Sequence, residues 1–111
     1  MPTDARPLSP AAVAVLQAVI GGARHGFDIM DTAALPSGTV YPILGRLERA
    51  GFVRSRWESP TIAQREKRPP RRYYEISAAG TQALALSVEH YRRLGRGGRG
   101  TPGLTPRPQR P

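Results

Sequence analysis

The sequence predicts a mainly α-helical fold with one small β-hairpin (α+β), and three observations carry that expectation. Apolar residues recur at helical spacing in several stretches, each bracketed by hydroxyl, glycine or proline punctuation. Two short stretches, Phe52 to Glu58 and Arg71 to Ile76, carry the aromatic and β-branched residues that strands favour. The link between them is strongly basic, and the hairpin directly follows the most clearly amphipathic helix. Helix, turn, helix and basic hairpin, in that order, describe a winged helix-turn-helix.

The first helix starts at Ser9-Pro10, a hydroxyl cap followed by proline at the first helical position. It runs to about Ile20 and ends at Gly21-Gly22. Ala12, Val13, Val15, Leu16, Val19 and Ile20 cover more than one face, and Gln17 is its only polar interior residue. A helix apolar most of the way round must be buried on most sides. A chain of 111 residues has difficulty doing this alone, so a second subunit is expected, with Leu16 and Val19 in the contact. His25-Gly26 breaks the chain before a short second helix, Phe27 to Thr32, in which Phe27, Ile29 and Met30 can face the core and Asp28 and Asp31 solvent. Ala33 to Pro36 form the turn.

The third helix is the most informative. Ser37 is a candidate N-cap and Gly51 suits the left-handed C′ position. Val40, Ile43, Leu44, Leu47 and Ala50 fall within one arc of about 120°, a core-facing stripe. The opposite arc holds Gly38, Tyr41, Pro42, Gly45 and Arg49, flanked by Ser37, Thr39, Arg46 and Glu48. This outer face is small at its start and basic at its end. It can approach a phosphate backbone and offer hydroxyls and guanidinium groups to it. Pro42 costs about one hydrogen bond rather than the helix. It either fixes the angle of the first turn or is a kink tolerated by packing.

The hairpin follows. Ser59 to Pro70 reads as a loop, with Pro60, Pro69 and Pro70 as breakers. Arg54, Arg56, Arg65, Lys67, Arg68, Arg71 and Arg72 stand against only Glu58 and Glu66. Charged surface loops are common, but one this basic beside a presentable helix reads as a wing that neutralises phosphates. Alternation along a strand sends Arg71 and Arg72 to opposite faces, so both cannot point at DNA. Lys67 and Arg68, on the loop, are the stronger candidates, with Arg71 beside them. Trp57, Tyr73 and Tyr74 read as hairpin packing, with ligand stacking as the alternative for Trp57.

Ser77 caps a last helix from Ala78 to about Leu94. Leu84, Val88 and Tyr91 line one face and Ala79, Ala83, Leu86 and His90 another, so one face can pack on the domain and the other on a partner protomer. From Gly95 to Pro111 the chain is Gly, Pro, Arg and Thr with one Gln, and Leu104 is its one large apolar residue, the composition of a disordered basic tail. The expected organisation is an N-terminal arm (1–7), a winged helix-turn-helix domain (8–76), a dimerisation helix (77–94) and the tail (95–111).

At this point the chain resembles the PadR family of transcriptional regulators. The matching pieces are His25-Gly26-Phe27-Asp28-Ile29, Leu35-Pro36-Ser37-Gly38-Thr39-Val40-Tyr41-Pro42, Arg46-Leu47-Glu48-Arg49-Ala50-Gly51-Phe52-Val53 and the return segment Arg68 to Ser77 followed by Gly80. They cover roughly residues 8 to 94 in the family's order and spacing. Two positions depart: Gly45 stands where many relatives carry a basic residue, and Phe27 replaces the more usual tyrosine. The resemblance implies a dimer made by the first and last helices, in the short form with a single C-terminal helix.

Composition bounds the function. The net charge is +9 and the pI about 11.4, which points to polyanionic partners. All the basic residues except Lys67 are arginine, which together with abundant Ala, Gly and Pro suggests a GC-rich bacterial genome and a partly compositional origin for that charge. Without Cys there is neither a disulfide framework nor a thiolate metal site. His25 and His90 stand at no metal-ligand spacing, no phosphate-binding loop precedes Ser37, and no acid pair suggests acid–base chemistry. No enzyme, cofactor or metal is therefore expected. No apolar run reaches membrane length and Met1 to Pro7 lacks a signal-peptide core, so a cytoplasmic, nucleoid-associated protein is the default.

The expectation is a sequence-specific regulator of transcription, a repressor that binds double-stranded DNA at a palindromic operator as a homodimer. Ser37, Thr39, Tyr41, Arg46, Arg49, Lys67, Arg68 and Arg71 are the expected DNA contacts, and Leu16, Val19, Leu84, Val88 and Tyr91 the expected dimer contacts. A small-molecule effector is left open. The alternative is a winged-helix module that recruits a protein without reading DNA sequence; RNA binding ranks third, because exposed stacking aromatics are few.

Overall fold

Local capping chemistry sets the first element. Ser9 is extended, and its hydroxyl accepts the Ala12 N–H at 3.1 Å, with Pro10 leading the helix. The structure, a computed structural model, describes residues 6–97. Within them the order is α1 (Pro10–Ile20), α2 (Gly26–Ala33), α3 (Ser37–Arg49), β1 (Val53–Trp57), α4 (Pro60–Arg65), β2 (Arg72–Ile76) and α5 (Ala78–Gly97). This is the predicted winged helix-turn-helix: mostly helical, with one antiparallel hairpin. The expected arm lies largely, and the basic tail almost wholly, outside the described residues.

One core joins the helices to the hairpin. Val15, Leu16, Ile29, Val40, Leu44 and Val53 are fully buried, and Tyr74 and Leu84 close the cluster. The α1 residues Ala12, Val13, Val15, Leu16, Ala18 and Val19 are all covered by their own chain. The premise that α1 needs a second subunit for burial is therefore overturned: α2, α3, β2 and α5 surround it. Ile20 is the exception, half exposed at the helix end.

β1 and β2 pair from Val53↔Ile76 to Trp57↔Arg72. The hairpin is anchored at its rear by a bridge between His25 and Tyr73 and by the Tyr74 N–H donating to the Arg24 carbonyl at 2.7 Å. Gly51 turns the chain from α3 into β1 with φ +81°, the left-handed conformation expected of it.

Ser77 caps α5 as expected, accepting the Gly80 N–H at 3.0 Å. Leu84 and Ser87 face the domain, and Ser87 Oγ accepts the Leu8 N–H at 2.9 Å while the Tyr91 hydroxyl donates to the Leu8 carbonyl at 2.8 Å. Leu86, Val88 and Leu94 point away. Leu84 and Val88, read as one face, are thus divided between inside and outside. The helix also continues to Gly97, past the predicted end near Leu94.

Three further expectations are corrected. Ser37 is not the cap of α3: Pro36 occupies that position, in extended conformation, and Ser37 is the first helical residue. Phe27 does not reach the core; it is 74 % exposed. The 59–70 segment is not all loop, since Ser59 caps α4 by accepting the Thr61 N–H at 3.2 Å. Ser59-Pro60 repeats the signal that starts α1 at Ser9-Pro10, but proline was read as a breaker in one place and as a helix starter in the other.

Candidate nucleic-acid interface

The outer face of α3 is exposed along its length. Ser37, Gly38, Tyr41, Pro42, Arg46 and Arg49 are accessible, and Thr39 and Gly45 are half-buried. The inner face, Val40, Ile43, Leu44 and Leu47, is locked into the core, so the outer face is presented rigidly; Ala50, expected on the same stripe, is the C-cap and is exposed. Pro42 is accommodated within a continuous helix. The Thr39 N–H donates to the Pro36 carbonyl at 2.9 Å, whereas the Ser37 and Gly38 N–H groups precede any intrahelical acceptor and, with the Ser37 hydroxyl, offer donors to an anion. Arg46 and Arg49 lie in the last turn, where positive charge also suits the helix dipole.

Two small residues shape this face. Tyr41, 48 % exposed, lies against the start of α2: a Cβ at Gly26 would fall on its ring and hydroxyl. Glycine there lets the tyrosine sit flat across the junction of the two helices. At Gly45 the space is taken by Arg49, whose Nη1 would lie 3.5 Å from an added Cβ. A basic group thus does stand over position 45, supplied from one turn later.

The hairpin is clamped to the end of α3. Ser55 Oγ donates to Glu48 Oε2 at 2.7 Å, Arg72 Nε donates to Ser55 Oγ at 3.0 Å, and Arg72 Nη2 lies 3.3 Å from Glu48 Oε1. Arg72 also stands 5.4 Å over the ring of Trp57, which is 63 % exposed. Hairpin packing accounts for Tyr74, which is buried, but not for Trp57, which rests on an arginine at the sheet surface. On the opposite face of the hairpin, Arg56 lies 5.6 Å over Tyr73, and Arg54 approaches the exposed Glu75 at 4.0 Å.

A second carboxylate organises the wing. Glu58 is 6 % exposed and accepts both Arg68 Nη1 at 2.6 Å and Arg68 Nη2 at 2.9 Å. The Arg71 N–H and the Tyr73 hydroxyl each donate to it at 3.2 Å. The Arg68 fork, more than burial opposes it, holds the Glu58 carboxyl at about 2, with the Arg71 N–H and the Tyr73 hydroxyl adding to the effect. The same pairing raises the Arg68 guanidinium above its ordinary value.

The expected contact residues therefore separate into two groups. Ser37, Tyr41, Arg46, Arg49 and Lys67 are exposed, with Thr39 half-buried beside them on α3. Arg68 directs its charge onto Glu58, and Arg71 is half-buried with its N–H on the same carboxylate. Sequence reasoning counted Glu58 only as an acid in a basic stretch and placed Glu48 only on the flank of the α3 outer face, yet each collects an arginine. It also named no role for Arg24 and counted Arg54 and Arg56 only in the charge of the hairpin; all three are exposed. Among the described residues no group of three or more His, Cys, Asp or Glu could hold a metal, and no helix is long and apolar enough to cross a membrane.

The model of the transcriptional regulator PadR-like family matches residues 15–86. Comparison with curated proteins finds no match. Among solved structures, a transcriptional regulator from Clostridium thermocellum is similar at TM-score 0.70 and 19 % identity, over 82 % of this chain and 88 % of that one. A PadR family transcription regulator from Clostridium difficile R20291 is similar at TM-score 0.71 and 18 % identity, over 83 % and 97 %. A PadR-like transcription factor from Bacteroides fragilis follows at TM-score 0.66 and 22 % identity, over 80 % and 86 %. At these identities the structural likeness speaks for the fold.

Proposed function

The chain belongs to the PadR-like family of transcriptional regulators, and from that premise we propose that it is a homodimeric repressor that reads a palindromic operator through α3. Members of this family are DNA-binding regulators of transcription, not enzymes. The observation that carries the finer reading is the outer face of α3: small and hydroxyl-bearing at its start, basic at its end, rigidly backed by core. In this reading the Ser37 and Thr39 hydroxyls and Tyr41 hold phosphates. Arg46 and Arg49 reach base edges or the adjacent backbone. Lys67 neutralises flanking phosphate from the wing, with Arg68 and Arg71 shaping it.

The dimer is proposed on the outward face of α5. Leu86, Val88 and Leu94 are large apolar α5 side chains left exposed: Val88 and Leu94 flank the covered face of Leu84, Ser87 and Tyr91 on its two sides, and Leu86 lies opposite it. Two-fold pairing through these exposed side chains would present two copies of α3 to the two half-sites of an operator, which lie about 34 Å apart in successive major grooves. Leu16, Val19 and Leu84 support that interface from behind rather than forming its surface.

Selection of bound sequences from a random pool of duplex DNA tests the proposal. Enrichment of one two-fold symmetric consensus is expected. A pool that stays random after several rounds would favour a protein-recruiting module instead.

A further inference from the structure

We propose that Glu58 is a positioning residue for DNA binding: it gathers Arg68, the Arg71 backbone and Tyr73 into one latch, and that latch sets where the wing carries Lys67. The inference rests on the DNA-binding reading above and assigns a role to an acid in the most basic part of the chain.

The geometry is that of a built site. Glu58 follows the last residue of β1, and its carboxylate is nearly inaccessible. Its two oxygens take the whole fork of Arg68, ten residues on, together with the Arg71 N–H and the Tyr73 hydroxyl. Its own N–H donates to the Arg71 carbonyl at 2.7 Å, which continues the β1–β2 pairing by one position. One carboxylate therefore ties together the outgoing strand, the loop and the returning strand. Charge-assisted bonds of this kind are short and directional, and a bidentate arginine fixes orientation as well as distance.

The segment closed by the latch is folded. Ser59 caps α4, Ala63 is buried, and the Arg68 N–H donates to the Ala63 carbonyl at 3.1 Å. Between α4 and the latch, Lys67 takes φ +56°, a left-handed conformation that a residue with a side chain adopts reluctantly. The Lys67 N–H donates to the Gln64 carbonyl at 3.0 Å, so both flanks hold that turn. Lys67 is exposed at its apex. Without Arg68 pinned to Glu58, the Arg68 N–H on the Ala63 carbonyl would be left to hold the turn from its C-terminal side, and the chain beyond it would recover part of the freedom expected of a proline-rich charged link. Arg68 thus acts through Glu58, because both prongs of its fork are already engaged.

Charge alone makes the opposite forecast. Glu58→Gln removes an acid and raises the formal net charge from +9 by one, which should tighten binding to any DNA. Arg68→Lys keeps the charge and should change nothing. The latch predicts that both variants of the full chain bind operator and random duplex about tenfold more weakly, the equivalent of one lost charge-assisted hydrogen bond. The log K against log salt slope should fall in magnitude by about 0.9 as Lys67 loses its phosphate. Lys67→Ala should then cost nothing further in either background. Arg68→Lys carries the test if Glu58→Gln does not fold. Parent-like or tighter binding by these variants, with Lys67→Ala still weakening the parent, overturns the latch and leaves the wing on DNA. If Lys67→Ala also leaves the parent's affinity and slope unchanged, the wing is off the backbone, and the reading on which the latch rests fails with it.

Discussion

Tyr41 and Gly26 act as a pair, since the tyrosine occupies the space a side chain at position 26 would need. Gly26→Ala should cost about 1–3 kcal/mol through overpacking, and much less in a Tyr41→Ala background; denaturant midpoints of the four proteins measure that coupling. At Glu58 the sign of the pH effect follows from the depressed carboxyl. A group held below its unfolded value adds stability above that value and loses it as pH falls through the folded one. The contribution of Glu58 is therefore complete above about pH 4.5 and drains away toward about 2. The groups facing it are the Arg68 guanidinium, the Arg71 N–H and the Tyr73 hydroxyl, with Glu66 acting on Arg68. Trp57, the only tryptophan, adjoins Glu58. Its fluorescence should report a wing transition in that window for the parent and none for Glu58→Gln. Glu89, also lowered by Arg92 and Arg93, lies on α5 and should not move the Trp57 signal.

Helices α3 and α5 were legible from sequence to different depths. The core stripe of α3 and its left-handed exit at Gly51 follow from periodicity and glycine chemistry, both local. The two faces of α5 do not, because Leu84 and Val88 fall at neighbouring turns and only the domain decides which is covered. Ser87, the most buried α5 side chain, is polar and holds the Leu8 backbone 79 residues away, a contact no periodicity announces. In the wing the arginines were visible, but the acids that receive Arg68 and Arg72 became visible only in three dimensions. Leu84→Ala should destabilise the chain by about 2–5 kcal/mol, as deletion of a buried leucine does. Val88→Glu should shift the protein from dimer to monomer in sedimentation and lower the thermal midpoint only by what dimerisation contributes, leaving a midpoint that no longer depends on protein concentration. Ser59→Ala should cost α4 its cap, about 0.5–2 kcal/mol of local stability, read as faster amide exchange between residues 61 and 68.

At the scale of the whole molecule, the fold divides reading from holding. The core fixes α3, the Glu48–Ser55–Arg72 clamp ties its end to the hairpin, and the Glu58 latch shapes the wing beyond. A surface of net charge +9 attracts any DNA, so affinity alone does not identify the reading element. Specificity does. The most direct measurement is the ratio of operator to random-duplex affinity at fixed salt, for the parent, for Lys67→Ala and for Arg46→Ala with Arg49→Ala. Lys67→Ala should weaken both affinities alike and keep the ratio. The α3 double variant should lower it by about 1–3 kcal/mol for each base-reading arginine lost. A ratio that survives removal of both Arg46 and Arg49 would contradict the assignment of α3 as the helix that reads DNA.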